Sequence, residues 1–420
     1  MHNDPVYLKN LLALGDTHRL VTLQPLMTER GIKLVDCGVH LSSALHEKLA
    51  RHRIAPPVDE CITLEGALTV TDLQADLAMI IAGQPDFQAL LGIDGEARLN
   101  AILQAFPLST LAAFKLTLLK PQLPQVYRHS LEVAFFALLL AWRAGSDMLP
   151  EQAFASGLFH DLGLLHIDPQ ILLAPDVYGE PELKQIYTHP VIGHLILTRL
   201  KEWPACVGQA VLEHHERQDG SGYPKGVLAG AISPLGELLA VAELAAAIFS
   251  KRRERALVES VHVILRLNQG KLNRELGRGL LDMAMAIPAP APAASGYACA
   301  NLLDNLVALS SCILGWNALA GHLGHLPSVE LINQRLAQLE RNLAALGIDL
   351  QYWRMVDPKL HEDDAAVREL AIAAEEGCWQ LKAIANEVMR KWDRLCPEHR
   401  QVQEEIWGWT RQVAGLVTSE

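Results

Sequence analysis

The 420-residue chain has little of what several protein classes require. Its seven cysteines are odd in number, form no CxxC pair and are scattered, which argues against a disulfide framework and indicates reduced thiols. Acidic side chains outnumber basic ones by 48 to 36, so the formal net charge is −12. Such a charge disfavours a nucleic-acid polymer or an anionic membrane as a partner. A glycine-rich phosphate loop and a receiver-type acidic cluster are also absent.

Long apolar runs are missing as well. The segment VAFFALLLAW at 133–142 is among the longest, and it is far shorter than the ~20 residues that span a bilayer. The first residues show no basic segment followed by an apolar one, so we expect no signal peptide. We therefore expect a cytoplasmic protein. Half of its residues are apolar, which is enough to bury the cores of two or three domains.

Helical periodicity dominates the chain. Alternation of apolar and polar residues predicts strands only near the N-terminus, at 31–42 and 60–66, with a helix over 42–52 between them. From Asp72 onward, Leu, Ile and Ala recur every three or four residues, which is typical of helices. The predicted fold class is mainly α, with a helical core, a small mixed α/β segment at the N-terminus and a helical bundle at the C-terminus.

A proline-rich spacer marks the clearest domain boundary. The segment AIPAPAPAASG at 286–296 has four prolines and is typical of a semi-rigid linker. The predicted organisation is an N-terminal region at 1–118, a helical domain at 119–286, a linker at 287–297 and a bundle at 298–420. The bundle is predicted to have helices at 298–323, 328–346, 361–395 and 398–417. We expect it to mediate homodimerisation or contact with a regulatory protein partner.

Histidines and acids recur in order through the helical domain: His129, His160, Asp161, His189, His214, His215 and Glu243. Each gap along the chain suits one helix plus a turn. Helices packed around one centre can direct such residues to a shared point. Taken singly, each residue has an ordinary structural role open to it: His189 precedes a proline at a helix start, the pair 214–215 suits a polar helix end, and Glu243 could be an isolated acid.

As a set, these residue types suit a binuclear metal site. Neutral imidazole favours iron, manganese, zinc or nickel, and a carboxylate can bridge two ions. Two divalent ions ~3.5–4 Å apart can clamp a phosphodiester and activate water. The charge of the ions would give this acidic protein a local centre that attracts anions.

Three segments carry a family resemblance: HDLG at 160–163, HPVIG at 189–193 and HHERQDGSGYP at 214–224. They resemble the HD-GYP family of HD phosphohydrolases, over about 125–281. The resemblance implies an HD-type helical fold and a metal-dependent phosphodiesterase. Its substrate would be cyclic di-GMP, a bacterial second messenger, which such enzymes linearise or hydrolyse fully.

The resemblance also implies roles for individual residues. His129, His160 and Asp161 would bind one ion, with Asp161 as the bridge, and His189, His214 and His215 would bind the second. Asp161 and His160 would be the catalytic pair, and Glu243 a further metal ligand. The ions would be iron or manganese, with zinc, nickel or cobalt as alternatives. Substrate contacts would come from Asp219, Gly222, Tyr223, Pro224, Arg252 and Arg255, although Arg252 and Arg255 could equally lie in a solvated charged loop.

The sequence departs from the family at four positions. The lysine of the HDxGK motif is Leu164, which can neither offset charge nor protonate a leaving oxygen. Glu243 replaces an aspartate, Ala246 replaces a second acid, and Gln125 stands where some members carry a glutamate that supports a third metal. We therefore expect two metals at most and slow turnover.

These departures leave three functions open. The first is hydrolysis of cyclic di-GMP, which the retained ligand set favours because inward polar groups are costly without a metal. The second is a receptor that binds cyclic di-GMP or only a protein partner, which Leu164 favours. The third is hydrolysis of a different phosphate ester, against which the GYP segment argues.

Overall fold

The structure is a computed structural model that describes residues 4–145, 149–172, 180–251, 257–288, 299–350, 365–395 and 400–416. Helices predominate, which confirms the predicted mainly α class. The helices are α1 (Pro5–Leu14), α2 (His46–Ala50), α3 (Val70–Ala82), α4 (Pro85–Gln104), α5 (Thr110–Gln122), α6 (Pro124–Ala144), α7 (Pro150–Phe159), α8 (Pro169–Leu172), α9 (Glu180–Ile186), α10 (His189–Leu197), α11 (Ala205–Glu213), α12 (Pro234–Lys251), α13 (Leu257–Leu267), α14 (Arg274–Met285), α15 (Cys299–Leu323), α16 (Pro327–Ala344), α17 (Ala365–Leu395) and α18 (Arg400–Ala414).

Short strands occur near the N-terminus, as predicted. β1 (Leu20–Thr22) pairs antiparallel with β4 (Ile62–Leu64), and β2 (Leu26–Met27) pairs antiparallel with β3 (Lys33–Val35). The predicted segments 31–42 and 60–66 contain β3 and β4. β1 and β2 were not predicted, because adjacent apolar pairs and Pro25 interrupt any alternating pattern around them.

The chain forms two compact units, each assembled from several segments. The first comprises Met1–Leu173, Gln185–Glu216 and Gly230–Ala246, and the second comprises Ala174–Lys184, Arg217–Ala229 and Ala247–Glu420. The signature segment is thus divided, because its histidine pair belongs to the first unit and its DGSGYP residues belong to the second. The domain limits predicted from the sequence stay predictions, and most of the predicted linker lies outside the described residues.

In the first unit, α6 is a central buried helix. Every residue from Val133 to Ala141 is at most 1% exposed, because this stretch is apolar on all faces. Helix α7 approaches it closely at Gly157, where a Cβ atom would lie 2.5 Å from the Ala134 Cα. Only glycine therefore fits at this crossing, which brings the end of α7 close to α6.

The N-terminal helix is anchored beside the HDLG segment. The Asp4 carboxylate lies 2.8 Å from His166 Nδ1, and the Tyr7 ring stacks on the His166 ring at a centroid distance of 4.3 Å. Next to them, Lys115 Nζ and Asp59 Oδ2 form an ion pair of 2.7 Å, in which the Lys115 side chain is only 2% exposed. The Asp4 and Tyr7 contacts hold His166, the last residue of the short 3-10 helix Leu162–His166 that follows the HD pair directly.

In the second unit, α15 to α18 occupy the positions at which the sequence predicts four helices. The Trp316 side chain is fully buried, and its Nε1 donates to Asn333 Oδ1 at 2.7 Å. The Trp409 ring lies 5.0 Å from it, and Trp409 Nε1 donates to the Cys312 carbonyl. Trp316 and Trp409 are thus packing anchors whose indole N–H groups are hydrogen-bonded.

One segment, Leu302–Leu323 in α15, is long and apolar enough to cross a membrane by length and composition. It was not predicted from the sequence, because polar residues such as Asn305 and Ser310 interrupt its apolar run. Leu306, Leu309 and Trp316 are buried within the second unit, and the core helix of a bundle meets the same criteria. The expectation of no membrane contact stays a prediction.

Candidate metal centre

The structure brings the predicted metal ligands together in two groups. One group is His129, His160 and Asp161, and the other is His189, His214 and His215. Within each group, the potential ligand atoms lie within 4.8 Å of one another. The division is the one that the resemblance implies, while the metal-binding role of these residues stays a prediction.

Most of these side chains project from helix ends. His160 follows the last residue of α7, and Asp161 precedes the 3-10 helix Leu162–His166. His189 is the first residue of α10, and His214 and His215 come directly after α11. His129 is the exception, because it lies within α6. Separate segments therefore supply the ligands, as their spacing in the sequence suggested.

The carboxylate of Asp161 lies among three imidazoles. Its Oδ2 is 3.1 Å from His160 Nε2, and its Oδ1 is 3.3 Å from His189 Nε2 and 4.0 Å from His214 Nε2. His189 Nε2 and His214 Nε2 are 3.2 Å apart. Asp161 thus contacts members of both groups, which is the arrangement expected of a bridging ligand.

Backbone carbonyls orient three of the imidazoles in the same way. In each, the Nδ1 atom lies within hydrogen-bond distance of the carbonyl three residues earlier: His160 with Gly157 at 2.8 Å, His189 with Ile186 at 2.7 Å and His214 with Val211 at 2.6 Å. A carbonyl can only accept, so Nδ1 must carry the proton. In the neutral ring this leaves the Nε2 lone pair facing Asp161, which is how metal-binding histidines are held in their ligating tautomer.

The electrostatics favour neutral histidines around an ionised carboxylate. Burial lowers the pKa of His129 and His189, and lowers that of His214 well below its usual range. Burial also opposes ionisation of Asp161, but the surrounding histidines outweigh it and hold its pKa below the ordinary value. His160 differs: burial disfavours its charge, yet Asp161 and Glu243 raise its pKa to about 9.

These residues fit a divalent cation. His160 Nε2 is buried and, among the described residues, makes no hydrogen bond of acceptable geometry, although Asp161 lies nearby. A proton on this atom would satisfy one imidazole, whereas a cation could satisfy several nitrogens and the carboxylate together. The set of imidazole and carboxylate ligands suits iron, manganese, zinc, nickel or cobalt.

Glu243 joins the second group from α12. Its Oε2 lies 3.5 Å from His215 Nδ1, and both side chains are partly exposed. The extra methylene of glutamate, compared with the aspartate of the resembled family, therefore still lets the carboxylate reach a predicted ligand.

Gly163 supports the site in a way that the sequence analysis missed. A Cβ atom at this position would lie 2.1 Å from the His189 carbonyl oxygen. The 3-10 helix can therefore approach the start of α10 only because residue 163 has no side chain. The glycine of the HDLG segment was visible in the sequence, but the backbone that it meets was not.

Glu213 is a second residue that was missed. Its buried Oε2 accepts hydrogen bonds from Ser233 N at 2.8 Å and Ser233 Oγ at 2.6 Å, and its Oε1 accepts one from Gln209. Ser233 immediately precedes α12, which carries Glu243. The acid just before the histidine pair thus holds the start of the helix that supplies the next predicted ligand.

The departures from the family are located as follows. Leu164 is 8% exposed, and its N–H donates to the Asp161 carbonyl at 2.9 Å. Ala246 is fully buried, and Gln125 is exposed on α6. Leu164 therefore takes part in the local backbone structure of the HD segment, while its side chain is apolar and largely shielded from solvent.

The residues of the DGSGYP loop lie in the second unit. Asp219 Oδ1 accepts from Ser221 N at 3.0 Å and Ser221 Oγ at 2.6 Å, and Gly220 has a φ of 74°, which favours glycine. Gly222 is buried, whereas Tyr223 and Pro224 are partly exposed. The remaining predicted substrate contacts, Arg252 and Arg255, lie outside the described residues.

Part of the chain is similar to known proteins. Residues 117–275 match the family described as HD domain. The chain is 34% identical over 142 residues to cyclic di-GMP phosphodiesterase PA4108 of Pseudomonas aeruginosa, and 34% identical over 131 residues to a cyclic di-GMP phosphodiesterase of Thermotoga maritima. It is 28% identical over 222 residues to 3'3'-cGAMP-specific phosphodiesterase 3 of Vibrio cholerae.

The matched regions are partial. The alignments cover 34%, 30% and 51% of this chain, respectively, and 34%, 35% and 46% of the relatives. The chain thus spans about a third of the length of the first two relatives and just under half of the third. All three relatives are named as phosphodiesterases of cyclic dinucleotides.

Proposed function

Residues 117–275 belong to the HD-GYP family of HD domains, and from this premise we propose that the chain is a metal-dependent phosphodiesterase that hydrolyses cyclic di-GMP. The proposal includes two divalent ions, iron or manganese, held by His129, His160, Asp161, His189, His214, His215 and Glu243. Cytoplasmic location and self-association through 298–420 are part of the same proposal.

One observation carries it: three imidazoles are fixed by backbone carbonyls so that Nε2 faces a shared carboxylate. Orienting buried polar side chains in this way costs desolvation that neither a hydrophobic core nor a solvated surface would require. The arrangement is the one by which proteins hold metal-binding histidines. It therefore supports a metal-dependent reaction more strongly than the motif alone.

The side chains have separate tasks in the proposed reaction. When bound, divalent ions supply Lewis-acid stabilisation of the phosphate charge and activate a water molecule. Asp161 holds the two ligand groups together and offsets positive charge. The Nδ1–H of His160 is held by the Gly157 carbonyl, so its Nε2 would be the atom that ligates an ion. The 3-10 helix and the backbone carbonyls keep these groups oriented before the substrate arrives.

Cyclic di-GMP is proposed as the substrate because two of the relatives cited above are named cyclic di-GMP phosphodiesterases. The third is named for 3'3'-cGAMP, which differs only in one base, so both compounds belong in the assay. Both share the cyclic pair of phosphodiesters on which the proposed chemistry acts.

A second candidate function is a receptor that binds cyclic di-GMP without cleaving it. The observation that favours it is Leu164, an apolar and nearly buried side chain at the position of the family's lysine. Loss of a donor of this kind typically costs ~10²–10³ in rate and leaves ground-state binding less affected. A slow enzyme would convert bound cyclic di-GMP to product, whereas a receptor would not, so a turnover assay can separate the two functions.

The test is turnover of cyclic di-GMP and 3'3'-cGAMP by protein purified anaerobically and loaded with Fe²⁺ or Mn²⁺. We expect the linear dinucleotide or GMP to accumulate with the wild type and not with His189→Asn. The matched control is His194→Asn, because His194 lies on the same helix and its Nδ1 also contacts a carbonyl, that of Gly208 at 2.8 Å. Binding without product would establish the receptor, and neither binding nor product would refute both functions.

A further inference from the structure

We propose that the C-terminal helices α16 and α17 position the DGSGYP loop for substrate, through Arg335, Arg390 and Lys391. The inference deepens the proposed function and rests on it in one respect, namely that this loop meets the substrate. All the residues concerned belong to the second compact unit. Arg335, Arg390 and Lys391 lie outside residues 117–275, the region that matches the HD domain family, whereas the loop lies within it.

Three cationic side chains bind three successive carbonyls of the loop. Arg335 Nη2 donates to the Asp219 carbonyl at 3.3 Å, Lys391 Nζ to the Gly220 carbonyl at 3.0 Å and Arg390 Nη2 to the Ser221 carbonyl at 2.9 Å. Carbonyl groups in a turn have no helix or strand hydrogen bonds to satisfy them, so they need side chains or water as partners. The loop backbone is therefore held at its tightest point by charge-assisted hydrogen bonds.

The cations are themselves fixed by a buried acid. Glu387 on α17 is 3% exposed; its Oε2 accepts from Arg335 Nε at 3.0 Å, and its Oε1 accepts from Arg335 Nη2 at 3.0 Å and Lys391 Nζ at 2.6 Å. A bidentate guanidinium–carboxylate pair in a shielded position is geometrically specific, unlike an exposed pair of flexible side chains. Glu387 thus holds the Arg335 and Lys391 side chains in the orientation in which they donate to the loop.

Arg335 also binds the carboxylate of Asp219. Its Nη1 donates to Asp219 Oδ2 at 3.0 Å, while the other carboxylate oxygen accepts from Ser221. Both oxygens are therefore engaged in holding the loop. We assign Asp219 to shaping the loop, in place of the direct substrate contact that the family resemblance implies.

The same helices reach the GYP residues. The Arg390 guanidinium lies 5.7 Å from the centroid of the Tyr223 ring, within the range of a cation–π contact. A Cβ atom on Gly226 would lie 3.8 Å from Lys391 Cε, so α17 passes close to the end of the loop as well. Residues 219–226 thus meet α16 and α17 along most of their length.

The test compares Arg335→Gln with Arg341→Gln in the full-length, metal-loaded protein. Arg341 lies on the same helix, is exposed and donates to Gln338 on that helix, so it is a matched control. For Arg335→Gln we expect KM for cyclic di-GMP to rise about tenfold from loss of charge-assisted hydrogen bonds. We expect a much smaller change in kcat, unchanged metal content, and faster amide hydrogen exchange at 217–226. Arg341→Gln should match the wild type.

The exchange measurement needs no activity, so the two proposals fail separately. Faster exchange at 217–226 in a protein that does not hydrolyse cyclic di-GMP would support the positioning role and refute the proposed function. Wild-type KM and wild-type exchange in Arg335→Gln would overturn the positioning role. If Arg335→Gln does not fold, Arg390→Gln decides in its place, because it removes one loop contact and leaves the Glu387 pairs intact. Arg335→Lys should bring KM only part of the way back from the Arg335→Gln value, since lysine keeps the charge but lacks the planar guanidinium that can donate two parallel hydrogen bonds.

Discussion

The predicted metal ligands and the DGSGYP loop are neighbours in the chain but are held in different ways. His160, His189 and His214 are each oriented by a carbonyl three residues earlier on the same segment. The loop is held by Arg335, Arg390 and Lys391, which are 116 to 171 residues away in sequence. The ligands are thus preorganised locally, whereas the geometry of the loop depends on distant helices.

The largest effect is expected from Asp161→Asn, which changes the locally oriented ligand cluster. The variant keeps the shape but loses the charge shared by three imidazoles, so it should lose the ions and with them several kcal/mol of charge stabilisation. We expect turnover of cyclic di-GMP to fall by at least ~10³. Asp168→Asn is the control, because Asp168 accepts from Gln170 N nearby and belongs to neither ligand group. Equal loss in both variants would contradict a special role for Asp161.

Leu164→Lys should raise turnover, because a lysine would supply the donor that the family motif contains. We expect a gain of up to ~10² in single-turnover rate in folded, metal-loaded protein. Leu164→Met is the control, since it keeps an apolar side chain of similar volume. An unchanged rate in fully folded Leu164→Lys with normal metal content would mean that another group donates the proton, or that the protein is a receptor.

Gly163→Ala tests the close approach that positions His189. A single methyl group would meet the His189 carbonyl oxygen, so the 3-10 helix or the start of α10 must move. We expect the free energy of unfolding to fall by about 1–3 kcal/mol, and metal affinity to fall with it. Gly321→Ala on α15 meets no atom within 4 Å and should be neutral or slightly stabilising, as chemical denaturation can show. Equal stability of the two variants would refute the packing argument.

The smallest effect is expected from Glu213→Gln, which weakens the support of α12. Glutamine keeps one oxygen for Ser233 but loses the charge that strengthens both hydrogen bonds, and its amide nitrogen would replace the oxygen that accepts from Gln209. We expect a loss of about 1–2 kcal/mol in the free energy of unfolding. A double-mutant cycle with Ser233→Ala measures the pair directly. Additive effects of the two substitutions would mean that Glu213 and Ser233 do not act together.

The difference between local and long-range contacts also explains which features could be predicted from the sequence. His129, His160, His189 and His214 could be identified because each lies in a short local pattern separated from the next by one helix. The four helices of α15 to α18 could be located because their apolar periodicity is also local. Neither prediction required knowledge of which segments meet in space.

What was missed depends on contacts between distant segments. The need for glycine at 163 comes from the His189 backbone, and the role of Glu213 comes from Ser233. The proposed loop-shaping role of Asp219 depends on Arg335, which lies 116 residues away, and no local pattern signals that pair. β1 and β2 were missed for a different reason, since adjacent apolar pairs and Pro25 interrupt any alternating pattern around them.

The central claim is that the two ligand groups bind one divalent ion each, with Asp161 shared between them. Elemental analysis of protein purified anaerobically and loaded with metal tests it most directly, in the wild type, His129→Asn, His215→Asn and Asp161→Asn. We predict about two ions per chain in the wild type, about one in each histidine variant and fewer than one in Asp161→Asn. A wild type that binds no more than one ion, or histidine variants that bind as many as the wild type, would contradict the account.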